Sequence, residues 1–396
     1  MKNDMRPQLR FPGFADAWVE RKLVEIIVKG ASGGTPDTSK EDYYKGTIPF
    51  LNISDISNSD GHIFDTEKHI TEDALQNSVA WIVPKGAISL AMYASVGKAA
   101  ILENDVSTSQ AFYNMIFEND STRDVVFQIL RKMEMTNGWY YFISRGTQPN
   151  LNAGKVKNLS ISLPTDIEEQ HLIGTFFSFL DRLITLNRHK LSAMKEYKKS
   201  MLQRMFPRNG SLPELRFLGF SDAWVEKKVK DLFTITRGNV LPVKMISPQR
   251  SKEMFYPVYS SQTKDSGLLG YYNEYLYENA ITWTTDGANA GTVAHRDGKF
   301  YCTNVCGVLL SNDGYANQCI AEIINLIAWK HVSIAGNPKL MNNVMSEIKI
   351  VFPSLVTEQS FIGSFFSNLD RLISLQSKKL SALVLYKKAL LQRMFC

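Results

Sequence analysis

The sequence predicts an α+β chain that uses one plan twice: two similar globular modules joined by a long antiparallel two-helix coiled coil, related by an internal pseudo-two-fold repeat. Three observations lead there. Residues 9–23, LRFPGFADAWVERKL, match residues 215–229, LRFLGFSDAWVEKKV, at 11 of 15 positions. Residues 169–206 match 358–395 at 25 of 38 positions, now at an offset of 189 instead of 206. Between these shared segments lie stretches with little identity that still repeat one order of elements, the signature of a duplicated architecture.

In the first divergent stretch, strand-like runs at Ile48 to Ile53, Ala87 to Met92 and Ala111 to Phe117 precede an amphipathic run from Asp124 to Met135. A Gly-containing loop, the short apolar strand Leu159 to Leu163, and Pro164 follow. The second stretch runs likewise through Tyr275 to Thr284, Gly307 to Leu310, the helix-like Asn317 to Trp329, a loop at Ala335 to Met341, strand Ile348 to Phe352 and Pro353. The loops align in the register of the helices, Gln148-Pro149-Asn150-Leu151 opposite Asn337-Pro338-Lys339-Leu340.

The shared 38-residue segment contains no proline and a single glycine per copy, Gly174 or Gly363, so nothing in it breaks a helix. Apolar residues fall on a heptad seam: Phe177, Leu180, Ile184, Leu191, Met194 and Met201 in the first copy, and Phe366, Leu369, Ile373, Leu380, Leu383 and Leu390 in the second. Polar residues interrupt both seams at the same places, Asn187 with Gln376 and Lys198 with Lys387, as they do where a coiled coil fixes its register. One helix must lead out of each module, so chain connectivity favours an antiparallel pair. Modules at the ends of such a pair would stand about 40–60 Å apart at ~1.5 Å per residue. The expected boundaries are a module at 1–164, a spacer helix at 165–207, a module at 208–353 and a spacer helix at 354–396.

Composition excludes several classes. With 44% apolar and 21% charged residues in 396, the chain is globular in character. No apolar run approaches the ~18 residues of a membrane span, and the first residues lack a signal-peptide pattern, so a cytoplasmic location is expected. Four cysteines are too few for a disulfide framework. Cys302, Cys306 and Cys319 have loose spacing for structural zinc and need a fourth ligand, His295 or His331; buried thiols are the expectation, with no metal. The net charge of +6 is unevenly spread: residues 23–160 carry 12 basic and 16 acidic side chains, residues 229–350 carry 11 and 10, and residues 351–396 carry 6 and 2.

The LRFxGFxDAWVExK segment, the module ending in TQPNLN, strand and proline, and the E-Q-x-x-I-G-x-F-F-S-x-L-D-R-L-I helix closing on LQRMF resemble the specificity subunit of type I restriction–modification systems, over nearly the whole chain. The resemblance implies two target recognition domains, each reading one half of a bipartite asymmetric sequence in double-stranded DNA, with helices that space them and dock two modification (methyltransferase) subunits. Those subunits bind S-adenosylmethionine and methylate adenine at N6; translocating restriction subunits using ATP and Mg2+ complete the nuclease. It implies no cofactor and no catalytic residue in this chain. The residues agree on that point: Gly30 to Pro36 lacks the lysine of a phosphate loop, no NPPY-like segment occurs, and Pro36-Asp37 has no acid-x-Lys over the next 60 residues.

Base reading needs paired donors and acceptors. The candidates are Arg145, Thr147, Gln148 and Asn150 in the first module and Asn337 and Lys339 in the second, where a proline would restrict each loop; each set equally fits a solvated turn. A second set lies in hairpin positions: Tyr93, Ser95 and Lys98 beside Gly97, and Thr285, Asn289, His295 and Arg296 around Gly291. Two other readings stand beside DNA recognition. One is a coiled-coil adaptor without DNA contact, which the excess acid of the first module favours. The other is an enzyme using Cys302, Cys306 and His295.

Overall fold

A computed structural model describes residues 5–144, 150–207, 212–261 and 264–396. The chain divides into two compact units, one of residues 1–190 with 377–396 and the other of residues 191–376. The four longest helices are α1 (Asp120–Met135), α2 (Ile167–Met205), α3 (Gln318–Ala328) and α4 (Val356–Met394). Both units draw on α2 and α4.

The strand order of the first unit is Ile27–Ser32, Phe112–Phe117, Ile88–Ala91, Ala99–Leu102 and His62–Ile63. A second sheet holds Lys68–Ile70, Ile48–Leu51, Val106–Thr108 and Ile82–Val83. In the second unit one six-stranded sheet does the work of both: Thr234–Arg237, Cys306–Leu310, Tyr277–Thr284, Val293–Cys302, Tyr256–Tyr259 and Leu268–Tyr272. Each unit adds a two-stranded ladder joining its lead-in segment to its last strand, Val19 opposite Leu163 and Val225 opposite Phe352. The two units therefore share the ladder and the order of four central strands, while His62–Ile63 and Ile82–Val83 have no counterpart in the second.

Recognisable side chains set the helix limits. Asn119 accepts the amide of Thr122 at 2.8 Å, so α1 begins four residues before the amphipathic run suggests. Asn317 caps α3 through the amide of Ile320 at 3.1 Å. Their inner faces use one spacing, Val125, Val126, Ile129 and Leu130 against Cys319, Ile320, Ile323 and Ile324, all buried. The strand expected to reach Ile53 stops at Leu51, because the Asp55 carboxylate accepts the amide of Asn52 at 2.8 Å and starts the short helix Ile53–Asn58.

Within the first unit, Asp181 meets Lys387 and Phe177 meets Phe395, so the two helices run antiparallel. Within the second, Lys198 meets Asp370 and Phe206 stacks on Phe366, in the same sense. The heptad positions Phe177, Leu180, Ile184, Leu191, Met201, Phe366, Leu369 and Leu390 are buried, and Met194, Ile373, Leu380 and Leu383 half-buried. Each LQRMF end enters the core of the other repeat's lead-in: Phe395 packs on Trp18 at 5.9 Å and Phe206 on Trp224 at 6.1 Å. The single glycine of each helix gives the module helix room. A Cβ at Gly174 would lie 2.8 Å from that of Asp124, and one at Gly363 would lie 3.3 Å from the amide nitrogen of Cys319.

Polar contacts repeat as faithfully. Arg10 grips Glu169 with both carboxylate oxygens engaged, at 2.6 and 2.7 Å, and Arg216 grips Glu358 at the same distances. The neighbouring Gln170 donates to the carbonyl of Pro164 and accepts from Thr122 of α1; Gln359 donates to Pro353 and accepts from Asn317. Further along, Lys387 is 2% exposed and reaches one carboxylate, Asp181, whose other oxygen accepts from Gln128 of α1. Lys198 reaches two, Asp370 at 2.8 Å and Glu322 of α3 at 2.9 Å. Burial lowers the Lys387 pKa, against the pull of Asp181. Burial opposes the charge of Lys198 as well, but its two carboxylates outweigh that and raise it.

Removing one partner of a buried pair strands the other charge, at a cost of about 3–5 kcal/mol, whereas replacing both by apolar groups is often tolerated. Asp181→Ala should lower the urea midpoint of unfolding accordingly, and Asp181→Leu with Lys387→Leu should recover most of it. A single-variant loss below ~1 kcal/mol would mean that water reaches Lys387.

Candidate nucleic-acid interface

The two candidate loops of each module meet. In the first, Tyr93 and Asn150 form an antiparallel bridge, Ser144 bridges the same asparagine, and the amide of Leu151 donates to the carbonyl of Met92 at 2.9 Å. In the second, Asp286 bridges Lys339, Ser333 bridges Lys339, and the amide of Leu340 donates to the carbonyl of Thr285 at 2.8 Å. Thus the tip following a central strand, Ile88–Ala91 or Tyr277–Thr284, is tied to the loop before the last strand, at corresponding positions of both modules. Sequence spacing alone does not bring them together.

The side chains are unequally available. Tyr93 is exposed, while Ser95 contacts Ser57 through their hydroxyls at 2.7 Å and the Lys98 amine donates to the Ser57 carbonyl at 3.0 Å. Ala94 and Ser95 both take left-handed backbone conformations, φ 33° and 49°. Gly97 follows at φ 86°, where a Cβ would strike the Trp139 ring at 2.2 Å. The tip is held in a strained form, such as persists where surrounding packing enforces it. Asn150 is half-buried. Arg145, Thr147 and Gln148 lie outside the described residues.

In the second module Asn337 is exposed, and Lys339 is half exposed with its amine 3.7 Å from Asp286. Asn289 is half-buried at the tip, and its carbonyl accepts the amide of Thr292. Thr285 is 3% exposed and spends its hydroxyl on Asp286 and the Val305 carbonyl. Arg296 faces inward: Nε donates to Thr282, a terminal nitrogen donates to the Ser266 carbonyl, and the guanidinium lies 3.8 Å over Tyr259. His295 lines a cleft of about 410 Å³ with Asn317, Gln318 and Gly363, and burial lowers its pKa, which favours neutral imidazole. These last two residues are not brought to the loop pair.

Sequence reasoning missed the ten-residue strand Val293–Cys302, whose polar middle, His295 to Lys299, hides its alternation. It also missed the Arg–Glu grips, although Arg10 and Arg216 occupy equal places in the repeat, as do Glu169 and Glu358.

Two α+β modules, each with a tied loop pair and each framed by the same lead-in and helix, define a tandem recognition chain. A family profile described as type I restriction modification DNA specificity domain matches it twice, at residues 15–196 and 221–384. The MjaIX type I restriction enzyme specificity subunit of Methanocaldococcus jannaschii is 26% identical over 246 residues, 60% of this chain and 56% of that protein. A putative type I specificity subunit N-terminus of Mycoplasma pneumoniae is 40% identical over 130 residues, 32% of this chain and 68% of that protein. The match thus spans about half the length of the archaeal relative. The crystal structure of a type I restriction-modification system S subunit from M. genitalium shares the fold, with a TM-score of 0.73 at 15% identity over 99% of both chains. This chain belongs to the type I restriction–modification DNA specificity family.

The thiol reading finds no footing in the geometry. Cys302 and Cys306 lie in the apolar cluster of Phe300 and Val308, away from the cleft that His295 lines, and Cys319 is on α3. Burial pushes the Cys306 thiol up to about 11 and holds Cys302 and Cys319 well above the ordinary thiol range. Among the described residues no group of three or more His, Cys, Asp or Glu side chains could hold a metal ion, and no helix is long and apolar enough to cross a membrane. Since the thiolate is the reactive form, a disulfide reagent at pH 8 should label exposed Cys396 in the native protein and reach the other three only on unfolding. Rapid native labelling of Cys306, read by peptide mass spectrometry, would contradict this burial.

Proposed function

We propose that this chain is the DNA specificity subunit of a type I restriction–modification complex. Each module reads one half of a bipartite asymmetric target in double-stranded DNA, and the helices space the modules. The helices also dock two modification subunits and, through them, the restriction subunits. Adenine-N6 methylation from S-adenosylmethionine belongs to the modification subunits and ATP- and Mg2+-dependent translocation to the restriction subunits; this chain supplies recognition alone. The domain limits proposed are 1–164, 165–207, 208–353 and 354–396.

The observation that carries the reading is the family match falling twice, each time around one tied loop pair. Shared surfaces support the docking role. Leu186 and Leu375, Tyr197 and Tyr386, and Leu172 and Phe361 are equivalent in the repeat and exposed in both copies. Folding does not require a leucine to stay apolar on an exposed helix face, whereas a repeated partner does.

Exchange of residues 23–160 for the same segment of a relative should change one half-site and preserve the other, as read by methylation mapping in cells that also carry the modification subunit. Loss of both halves would refute independent modules. Within the second module, Lys339→Ala should cost about 1–3 kcal/mol of target binding if its amine meets a base edge. A loss below ~0.5 kcal/mol would return that loop to a solvated turn.

A further inference from the structure

Away from the loop pairs, both modules carry basic side chains set beside aromatic rings, the Lys40 amine also donating to the Tyr43 hydroxyl at 2.9 Å. In the first, the Lys40 amine lies 4.6 Å from the Tyr43 ring centre and the Lys68 amine 5.9 Å from that of Tyr44. In the second, the Arg250 guanidinium lies 3.8 Å over Phe255 and the Lys299 amine 4.5 Å over Tyr275. All four cations are exposed. In the second module they border an open groove of about 540 Å³ that Tyr256, Tyr271 and the carboxylate residue Asp297 also line.

The Lys40 and Arg250 sites are topologically equivalent although their sequences do not align; Lys68 lies on the antiparallel neighbour of the strand that follows, and Lys299 on the strand that supplies its parallel neighbour. Strand Ile48–Leu51 runs parallel to Val106–Thr108 and antiparallel to Lys68–Ile70. Tyr256–Tyr259 runs parallel to the end of Val293–Cys302 and antiparallel to Leu268–Tyr272. Lys40 and Arg250 each lie in the segment leading into the parallel strand. If the modules read different bases, an arrangement common to both answers to something common to both half-sites, and in duplex DNA that is the sugar-phosphate backbone. A cation already resting on a ring loses less freedom on meeting a phosphate, and phosphate contacts position a protein without selecting sequence. In modules carrying 12 basic against 16 acidic and 11 against 10 side chains, locally ordered cations are the means available.

We infer that this sub-sheet of each module is a second DNA-contact surface, with Lys40 and Lys68 in one module and Arg250 and Lys299 in the other gripping backbone phosphates of double-stranded DNA. The inference rests on the DNA-specificity reading proposed above. The test measures binding of the chain, assembled with its modification subunits, to a short duplex carrying the mapped target and to one of scrambled sequence, across a salt series. Removing a cation from one phosphate lowers the slope of log K against log salt by about 0.9. Arg250→Gln with Lys299→Gln should therefore lower it by about 1.8 on both duplexes and leave the methylated sequence unchanged. Arg250→Lys should keep the slope, as should Lys227→Gln, an exposed lysine of the other ladder. An unchanged slope in the double variant, with tight wild-type binding, would overturn the inference and leave the recognition reading intact. A change in the methylated sequence would overturn the backbone assignment. Failure of the wild-type complex to bind either duplex would overturn both.

Discussion

Each long helix begins with a carboxylate that water cannot reach. Glu169 is fully buried and Glu358 nearly so, and such a group is tolerable only when both oxygens are satisfied. A forked arginine from the lead-in segment supplies that satisfaction in each unit, which fixes the lead-in against the helix. From there the ladder to the last strand, the proline carbonyl held by the adjacent glutamine, and the capped end of the module helix follow in a chain of contacts. Little else connects so many elements at one point. The sequence identity of the repeat concentrates on the parts of this junction, while the strands beyond it are free to diverge.

The paired lysines further along the helices differ in an informative way. The Lys387 amine bonds one carboxylate, Asp181, whose other oxygen accepts from Gln128; the Lys198 amine bonds two carboxylates, one from the module helix itself. The second module is thereby held to the seam by a charge, the first by a neutral amide acting through Asp181. Equivalent backbones have settled one electrostatic problem in two ways: the lysine and its aspartate, Asp181 or Asp370, repeat, and only the module-helix residue, Gln128 or Glu322, differs.

The duplication and the helices were legible because heptads and offsets are properties of the chain alone. Gly174 and Gly363 were visible but their purpose was not, since the approach of Asp124 and Cys319 is a tertiary fact. Lys198 and Lys387 could be read as register-setting residues, yet their carboxylates lie far off in sequence. Among the site candidates, residue type singled out Arg296 and Thr285, but a side chain's chemistry says nothing of its direction, and both are occupied within the fold. The meeting of Tyr93 with Asn150 and of Asp286 with Lys339 depends on strand order, which no local pattern encodes.

The way the units share the chain also sets an order of events during synthesis. The second unit is continuous, residues 191–376, and can close once that stretch has left the ribosome. The first, though it emerges earlier, needs Leu390, Leu391, Met394 and Phe395 to complete the core around Trp18 and Phe177. The part made first is therefore finished last, and its apolar surface waits uncovered through the whole translation of its sibling. Nascent chains in that condition are the ones that chaperones attend and that aggregate when crowded, so the same interleaving that ties the repeats together makes the earliest-made module the most exposed to misassembly.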